Sequence, residues 1–269
     1  NINEKKIGMV GFGHLGSSIA EALLNGGFPK SNLMISHKGS RATRDRVSEL
    51  KLESCVRDTE YLMKSSEVII LAARPQNIKD IAENYIRKDA LILSFMAALP
   101  LSALSSFFDC SISRAMCSGP ETISGGRGIC VLHHGTGAAR ELVTLCGIRE
   151  IQIRTEDEID AFTAGICIPP ILMNINVDER ERKKALKKMA LRWPVYRELS
   201  GWIKAELASS ASQNDKKSLE NVSTKGGVSE AMVTSLINGG SFLPSVERGI
   251  ERCAELRSEL CKNLAVKAA

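Results

Sequence analysis

The sequence predicts an α/β protein with two domains, a doubly wound sheet over residues 1–154 and an all-α domain over residues 155–269. As far as about residue 153, short apolar runs rich in β-branched residues alternate with segments of helical period. Beyond that point the strand signal largely disappears and helical periods remain. Alternation of strands and helices is typical of a mostly parallel sheet that binds ligands at the carboxyl ends of its strands.

Individual elements follow from the same patterns. The predicted strands cover residues 6–10, 33–36, 68–72, 91–95, 112–116, 129–132 and 150–153. The helices between them are predicted over residues 17–25, 40–50, 58–64, 76–85, 102–107 and 137–146. The second domain is predicted to contain helices over residues 156–164, 170–191, 194–209, 228–238 and 246–266. Pro170 suits a first helical turn, and the pair Gly239 and Gly240 suits a helix end.

Three glycines in the stretch "KIGMVGFGHLG", residues 6–16, follow the first strand directly. In such a G-x-G-x-x-G pattern the first glycine makes the tight turn, the second leaves room for a pyrophosphate, and the third lets the helix pack closely. We expect the pyrophosphate on the free N–H groups of the helix, from Ser17 onward. The pattern therefore predicts a Rossmann-type dinucleotide site, and a turn without a ligand is the alternative. The predicted site residues are Gly11, Phe12, Gly13, His14, Leu15 and Gly16.

The end of the second strand indicates which nicotinamide cofactor is used. An acidic residue there would accept from the ribose 2′-hydroxyl and repel a 2′-phosphate. The sequence reads "SHKGSR" instead, with hydroxyls and cations that suit a phosphate. We therefore predict NADP, and a merely solvated basic turn is the alternative. The predicted contacts to the 2′-phosphate are Ser36, His37, Lys38 and Arg41.

Composition excludes several classes of function. The net charge is +5, and the densest basic run, residues 179–192, contains interleaved acids and almost no aromatic residues, which favours a solvated helix face over a nucleic-acid site. No apolar run is long enough to cross a membrane, and "NINEKK" does not resemble a signal peptide. The eight cysteines lack the spacing of a zinc site, so we expect no metal and a cytoplasmic protein with reduced thiols.

Two features of the second domain predict binding surfaces. Apolar residues recur at helical spacing in the last helix, at Val246, Ile250, Cys253, Leu256 and Leu260. Several such stripes favour a homodimer or a higher homo-oligomer, and packing within one chain is the alternative. Gly226 and Gly227 precede a helix, so the N–H groups of Val228 and Ser229 could bind a carboxylate.

Nearly the whole chain resembles the pyrroline-5-carboxylate reductases. The first domain contributes "IGMVGFGHLGSSIAEAL", "VIILAARPQNI" (residues 68–78, typically V-K-P-Q in the family), "LILSFMAAL" and "RAMCSGPETISGG" (residues 114–126, R-x-M-P-N-T-P in the family). The second domain contributes "EDEIDAFTA" and "STKGGVSEAM" (residues 223–232, S-P-G-G-x-T in the family). The order and spacing of these segments together carry the resemblance.

The resemblance implies a Rossmann domain that binds NAD(P)H and a helical dimerisation domain that completes the active site with a partner chain. The implied reaction is hydride transfer to the C=N carbon of 1-pyrroline-5-carboxylate, which yields proline. It further implies that Ala73, Arg74 and Pro75 flank the nicotinamide. Gly226, Gly227, Val228 and Ser229 would hold the substrate carboxylate, with Ser229 in the position of the family threonine.

Two segments depart from the family pattern. Residues 116–120 read "MCSGP" where the family has M-P-N-T-P, which removes an amide side chain. Residues 167–171 read "CIPPI" where the family has G-S-G-P-A, which removes a hydroxyl and two glycines at the expected substrate wall. Two other functions therefore stay open: a related oxidoreductase with another imino acid or a deazaflavin partner, and a nucleotide-binding regulatory protein without catalysis.

Overall fold

The computed structural model describes residues 1–84, 87–211 and 225–266. It contains seven strands: β1 (Ile7–Val10), β2 (Leu33–Ser36), β3 (Val68–Leu71), β4 (Leu91–Ser94), β5 (Ser111–Cys117), β6 (Ile129–His133) and β7 (Arg149–Glu150). The helices that pack with this sheet are α1 (His14–Asn25), α2 (Arg41–Glu49), α3 (Thr59–Ser65), α4 (Ile78–Ala82), α5 (Leu101–Phe107), α6 (Pro120–Ser124) and α7 (Gly137–Leu145). The remaining helices are α8 (Glu158–Ile166), α9 (Ile168–Leu172), α10 (Glu179–Arg192), α11 (Tyr196–Ala211), α12 (Val228–Ile237) and α13 (Phe242–Leu264).

All seven strands form one sheet in the order β2-β1-β3-β4-β5-β6-β7. The first five strands of the chain run parallel, with Ile7 aligned to Leu33 on one side and to Val68 on the other. β6 runs antiparallel to β5, because the chain between them forms only the short α6 and does not cross the sheet. The predicted Rossmann-type domain followed by a helical region is therefore confirmed, with two strands reversed at one edge.

Apolar side chains cover both faces of this sheet. Alternate residues of a strand point to opposite faces, so Met9 packs into one buried cluster and Val10 into the other. The second cluster also contains Leu260, Cys261 and Leu264 from the end of α13. The last turns of α13 therefore pack against the sheet.

The chain divides into two compact units. The first unit comprises Asn1–Glu150 together with the described residues from Ser258 on, and the second comprises Ile151–Arg257. The boundary predicted from the sequence lies at residue 154, with everything after it in the second domain. The difference at the carboxyl end arises because the apolar stripe of α13 continues past Leu256 onto a face of the sheet.

Several predicted elements are wrong in detail. The helix predicted over residues 170–191 is two helices, because Pro169 and Pro170 start α9 and Asp178 caps α10 through the N–H groups of Arg180 and Glu181. The last strand ends at Glu150, whereas it was predicted to begin there. The helix predicted over residues 76–85 is a single turn at Pro75–Asn77 followed by α4, and residue 85 lies outside the described residues.

Candidate functional site

The first candidate site lies at the carboxyl end of β1. This strand is flanked by β2 and β3, and the chain leaves it first toward β2 and then returns past it to β3. In open α/β sheets such a reversal of strand order opens a crevice that binds ligands. The loop from Gly11 to Gly16 occupies that position directly after Val10.

Each glycine of the loop meets a different constraint. Gly11 has φ of +96°, and a Cβ there would lie 2.5 Å from the backbone nitrogen of Ala73, at the end of β3. A Cβ on Gly16 would lie 2.3 Å from the carbonyl oxygen of Gly11, so this glycine lets α1 pack against the loop. A Cβ on Gly13 would meet no atom within 4 Å. The fold itself therefore requires Gly11 and Gly16, whereas the space beside Gly13 is open to a ligand.

Helix α1 begins three residues earlier than predicted. Gly13 is its N-cap, and the N–H of Ser17 already donates to the carbonyl of Gly13 at 2.9 Å. The prediction that free donors begin at Ser17 is therefore wrong. The donors of the first turn are the N–H groups of His14, Leu15 and Gly16, which have no carbonyl one turn earlier in the helix.

The four residues predicted to bind a 2′-phosphate lie in different environments. Ser36 is buried, its Oγ accepts from Thr59 Oγ1 at 3.2 Å, and its carbonyl accepts from the N–H of Gly11. Its hydroxyl therefore joins neighbouring segments, and its contact with a 2′-phosphate stays a prediction. The ring of His37 is half-buried and accepts from the N–H of Gly39 at 2.9 Å. Lys38 and Arg41 are exposed, and Arg41 is the first residue of α2.

Lys38 reaches from the loop after β2 to the segment after β3. Its Nζ lies 3.2 Å from Asn77 Oδ1 and 3.4 Å from Asp80 Oδ2. Because both strands flank β1, this contact passes beside the carboxyl end of β1 and the glycine loop. The three residues predicted to flank the nicotinamide follow β3, with Ala73 against Gly11, Arg74 exposed and Pro75 at the start of a helical turn.

Arg46 is a candidate site residue that sequence reasoning missed. Its Nη2 lies 2.7 Å from Nε2 of His14, the first helical residue of α1. The two residues are 32 positions apart, so no local pattern connects them. Only the packing of α2 beside α1 reveals the contact.

The second candidate site, in the second unit, is the amino end of α12. Gly226 has φ of +72° and Gly227 is the N-cap, which places the N–H groups of Val228 and Ser229 in the first turn as predicted. The carboxylate of Glu230 accepts from the N–H of Gly226 at 2.6 Å. The guanidinium of Arg252 donates to the carbonyl of Gly226 at 3.0 Å. Glu230 therefore already uses the N–H of Gly226, one of the four residues predicted to hold the substrate carboxylate.

Ser229 lies beside one of the segments that depart from the family pattern. Its hydroxyl donates to Sγ of Cys167, which ends α8, at 3.4 Å. Burial raises the pKa of the Cys167 thiol, so this sulfur is neutral near pH 7. In the other departing segment Ser118 is buried, and its hydroxyl accepts from the N–H of Ile129 at 3.0 Å.

A cavity of about 460 Å³ adjoins the amino end of α12. Gly226, Gly227, Glu230, Arg248 and Arg252 are among the residues that line it. Both arginines donate to Glu255, and these hydrogen bonds lower the pKa of that carboxyl to about 2. The cavity thus presents cations that are partly neutralised by a neighbouring carboxylate.

Two kinds of feature are absent from the described residues. None of the helices in ranges 1–84, 87–211 and 225–266 combines the length and apolar character that a bilayer-spanning segment needs. Within the same ranges, no three His, Cys, Asp or Glu side chains are arranged to hold a metal ion.

Comparison with known proteins places these features in context. Residues 6–98, about a third of the chain, match the family model described as "NADP oxidoreductase coenzyme F420-dependent". This match agrees with NADP as the predicted cofactor. No curated protein matches the chain.

Solved structures of pyrroline-5-carboxylate reductases share the fold. The enzyme from Coxiella burnetii aligns with a TM-score of 0.60 at 18% identity, covering 94% of this chain and 98% of its own. The Plasmodium falciparum enzyme, whose structure has NADP bound, aligns with a TM-score of 0.59 at 18% identity, covering 96% and 99%. The Streptococcus pyogenes enzyme gives 0.60 at 18%, covering 94% and 98%. The expected resemblance to this family is therefore confirmed at the level of the fold.

Proposed function

We propose that this protein is an NADPH-dependent reductase that transfers hydride to the C=N carbon of 1-pyrroline-5-carboxylate and forms proline. The observation that carries the proposal is the open space beside Gly13, at the reversal of strand order and before the free donors of α1. Any side chain on Gly13 would fill the position where a pyrophosphate approaches the backbone. The fold shared along most of the chain with pyrroline-5-carboxylate reductases supports the substrate.

The reaction asks the protein mainly to bind and orient. An imine nitrogen can take its proton from water before reduction, so no side chain with a tuned pKa is needed. When bound, the reduced nicotinamide supplies the hydride. In the proposed arrangement the N–H groups of His14, Leu15 and Gly16 hold the pyrophosphate, and Lys38 and Arg41 hold the 2′-phosphate.

The substrate carboxylate is proposed to bind at the amino end of α12. The N–H groups of Val228 and Ser229 are oriented toward it, and the partial positive charge of the helix end favours an anion. The Ser229 hydroxyl donates to Cys167, and rotation about its Cβ–Oγ bond can turn the proton to the substrate carboxylate, which can only accept. Cys167 is then part of the substrate wall in place of a smaller family residue.

A second substrate class has one observation in its favour. The family model that matches residues 6–98 is described as dependent on coenzyme F420. A deazaflavin could therefore take the place of the imine as the hydride partner of NADP. A nucleotide-binding protein without catalysis is the third possibility, and it predicts cofactor affinity without turnover.

One assay separates the three functions. Purified protein is supplied with NADPH and, in parallel, with pyrroline-5-carboxylate, its six-membered homologue and a deazaflavin, and NADPH oxidation is followed. We expect turnover with pyrroline-5-carboxylate and proline as the product. Turnover with only the homologue or only the deazaflavin would refute the proposed substrate, and NADPH binding with no turnover would refute catalysis. We further propose a homo-oligomer formed through the second unit, whereas the cytoplasmic location stays a prediction.

A further inference from the structure

The arginine at position 46 is held against the first turn of α1. Its Nη1 donates to the carbonyl of Ala42, one turn earlier in α2, at 3.3 Å. Its Nη2 lies 2.7 Å from Nε2 and 3.1 Å from Nδ1 of His14. A single Nη2 this close to both ring nitrogens lies against the imidazole ring. Two contacts on different helices therefore fix the direction of the Arg46 side chain.

The charge of Arg46 has no counter-ion among the described residues. No carboxylate there forms an ion pair with it, and its hydrogen bonds go to a carbonyl and to an imidazole. The neighbouring cation Lys38, by contrast, pairs with Asp80. Orienting a flexible guanidinium costs side-chain entropy. An oriented and unneutralised arginine beside a ligand loop is suited to an anionic ligand group.

The position of His14 indicates which group that is. His14 follows Gly13 directly, and its N–H is one of the first-turn donors that face the proposed pyrophosphate. Arg46 contacts the side chain of this residue. Lys38 and Arg41, the cations proposed for the 2′-phosphate, lie at the end of β2 and the start of α2, and Arg46 lies more than one turn further along that helix.

We propose that Arg46 binds the pyrophosphate of the dinucleotide and is oriented for it by His14. This inference rests on the proposed cofactor site and assigns different phosphate groups of the cofactor to different cations. Arg46 contributes equally to the affinity for NADPH and for NADH, because both carry the pyrophosphate. Lys38 and Arg41 contribute only to the affinity for NADPH, because NADH lacks the 2′-phosphate.

The test is a set of dissociation constants for both cofactors, measured by titration calorimetry on the full chain. Arg46→Ala should raise the Kd for NADPH and for NADH by the same factor, about 10-fold, as expected for a lost charge-assisted hydrogen bond. Arg46→Lys should recover part of the loss, because it keeps the charge but not the fork geometry. Lys64→Ala is the matched control, since it removes one exposed cation from α3 in the same unit and should leave both constants unchanged.

Every outcome decides the proposal. Unchanged Kd values for both cofactors in Arg46→Ala would overturn it, and so would a loss confined to NADPH, which would assign Arg46 to the 2′-phosphate. If Arg46→Ala fails to fold, Arg46→Gln keeps hydrogen-bond donors without the charge and is expected to show the same equal loss. A parent protein that binds neither cofactor refutes the proposed cofactor site itself and this inference with it. Tight binding by the parent with unaffected variants refutes only the inference.

Discussion

Ser229 and Cys167 are 62 residues apart, and the serine hydroxyl donates a hydrogen bond to the cysteine sulfur at 3.4 Å. This contact joins the first turn of α12 to the end of α8. It brings together the residue predicted to contact the substrate and a residue that departs from the family pattern. Cys167 therefore contacts the hydroxyl that is proposed to bind the substrate carboxylate.

Substitution of Ser229 tests the substrate position. Ser229→Ala should lower kcat/KM for the imine by about 10-fold, the effect of losing about 1.5 kcal/mol from a hydrogen bond to a charged group. NADPH affinity should stay unchanged. Ser229→Thr keeps the hydroxyl and should retain most activity, and Thr155→Ala, exposed in the same unit, is the control. An unaltered kcat/KM in Ser229→Ala, with an active parent, would place the substrate elsewhere.

Substitutions at two glycines of the loop should have different effects, one on NADPH affinity and the other on the free energy of unfolding. Gly13→Ala introduces a Cβ with no neighbour within 4 Å, so it should fold normally but lose at least about 10-fold in affinity for NADPH, because the Cβ occupies the pyrophosphate position. Gly16→Ala forces a Cβ to 2.3 Å from the Gly11 carbonyl oxygen and should lower the free energy of unfolding by about 1–3 kcal/mol. Urea unfolding and calorimetric titration measure the two effects.

The control for Gly13→Ala is Gly137→Ala. Gly137 is the first residue of α7 in the same unit, and a Cβ there also meets nothing within 4 Å. This variant should keep both stability and cofactor affinity. Equal NADPH affinity in Gly13→Ala and Gly137→Ala would contradict the proposed pyrophosphate position.

Cofactor preference should depend on the cations after β2. The double variant Lys38→Ala with Arg41→Ala should weaken NADPH binding and leave NADH binding nearly unchanged, which narrows the difference between their Kd values. Asp80 competes with the phosphate for Lys38 across 3.4 Å, so Asp80→Asn should increase the preference for NADPH slightly. Equal Kd values for NADPH and NADH in the parent protein would contradict the predicted cofactor.

Buried thiols should be unreactive in the native protein. Burial raises the pKa of Cys117 and of Cys146 to about 12, so almost none of either thiol is ionised at pH 8. The thiolate is the nucleophile, and its fraction rises only as the pH approaches the raised pKa. Iodoacetamide at pH 8 should therefore modify all eight cysteines in urea but leave these two unmodified in the native protein, as peptide mass spectrometry can determine. Their rapid native modification would show that the sheet is more open than described.

The sequence predicted the parallel strands well for a physical reason. β1 to β4 are buried on both faces, so their sequences are mostly apolar and do not alternate between apolar and polar residues. β7 has two residues and carries no comparable signal. The break between α9 and α10 was missed, although Asp178 is a typical N-cap residue and marks the new start.

Contacts between distant residues account for what the sequence could not predict in the candidate sites. The glycine loop is a local pattern, and its three constraints follow from backbone geometry alone. The pairs Arg46 with His14 and Ser229 with Cys167 depend on how helices pack, which no spacing along the chain encodes. Burial of Ser36 also depends on packing, since its hydroxyl contacts Thr59, which belongs to a helix later in the chain.

The structure buries part of the apolar stripe from which a homo-oligomer was predicted. Val246, Cys253 and Leu260 of the predicted stripe are already buried within one chain, so they are not available to a partner. Among the described side chains of the second unit, two large apolar ones are exposed, Leu191 at 80% and Ile237 at 64%. Exposed apolar side chains of this size commonly mark an interface when they belong to one patch.

We therefore expect a homodimer or a larger ring in solution, with these two side chains at the interface. Light scattering should report at least twice the chain mass of 29.2 kDa at micromolar concentration. Leu191→Asp combined with Ile237→Asp should shift the protein toward the monomer, because each buries a charge in an apolar contact. Tyr61→Asp in the first unit, where Tyr61 is also half-exposed, is the matched control and should leave the mass unchanged. A parent protein that scatters as a monomer would show that the second unit packs its apolar faces within a single chain.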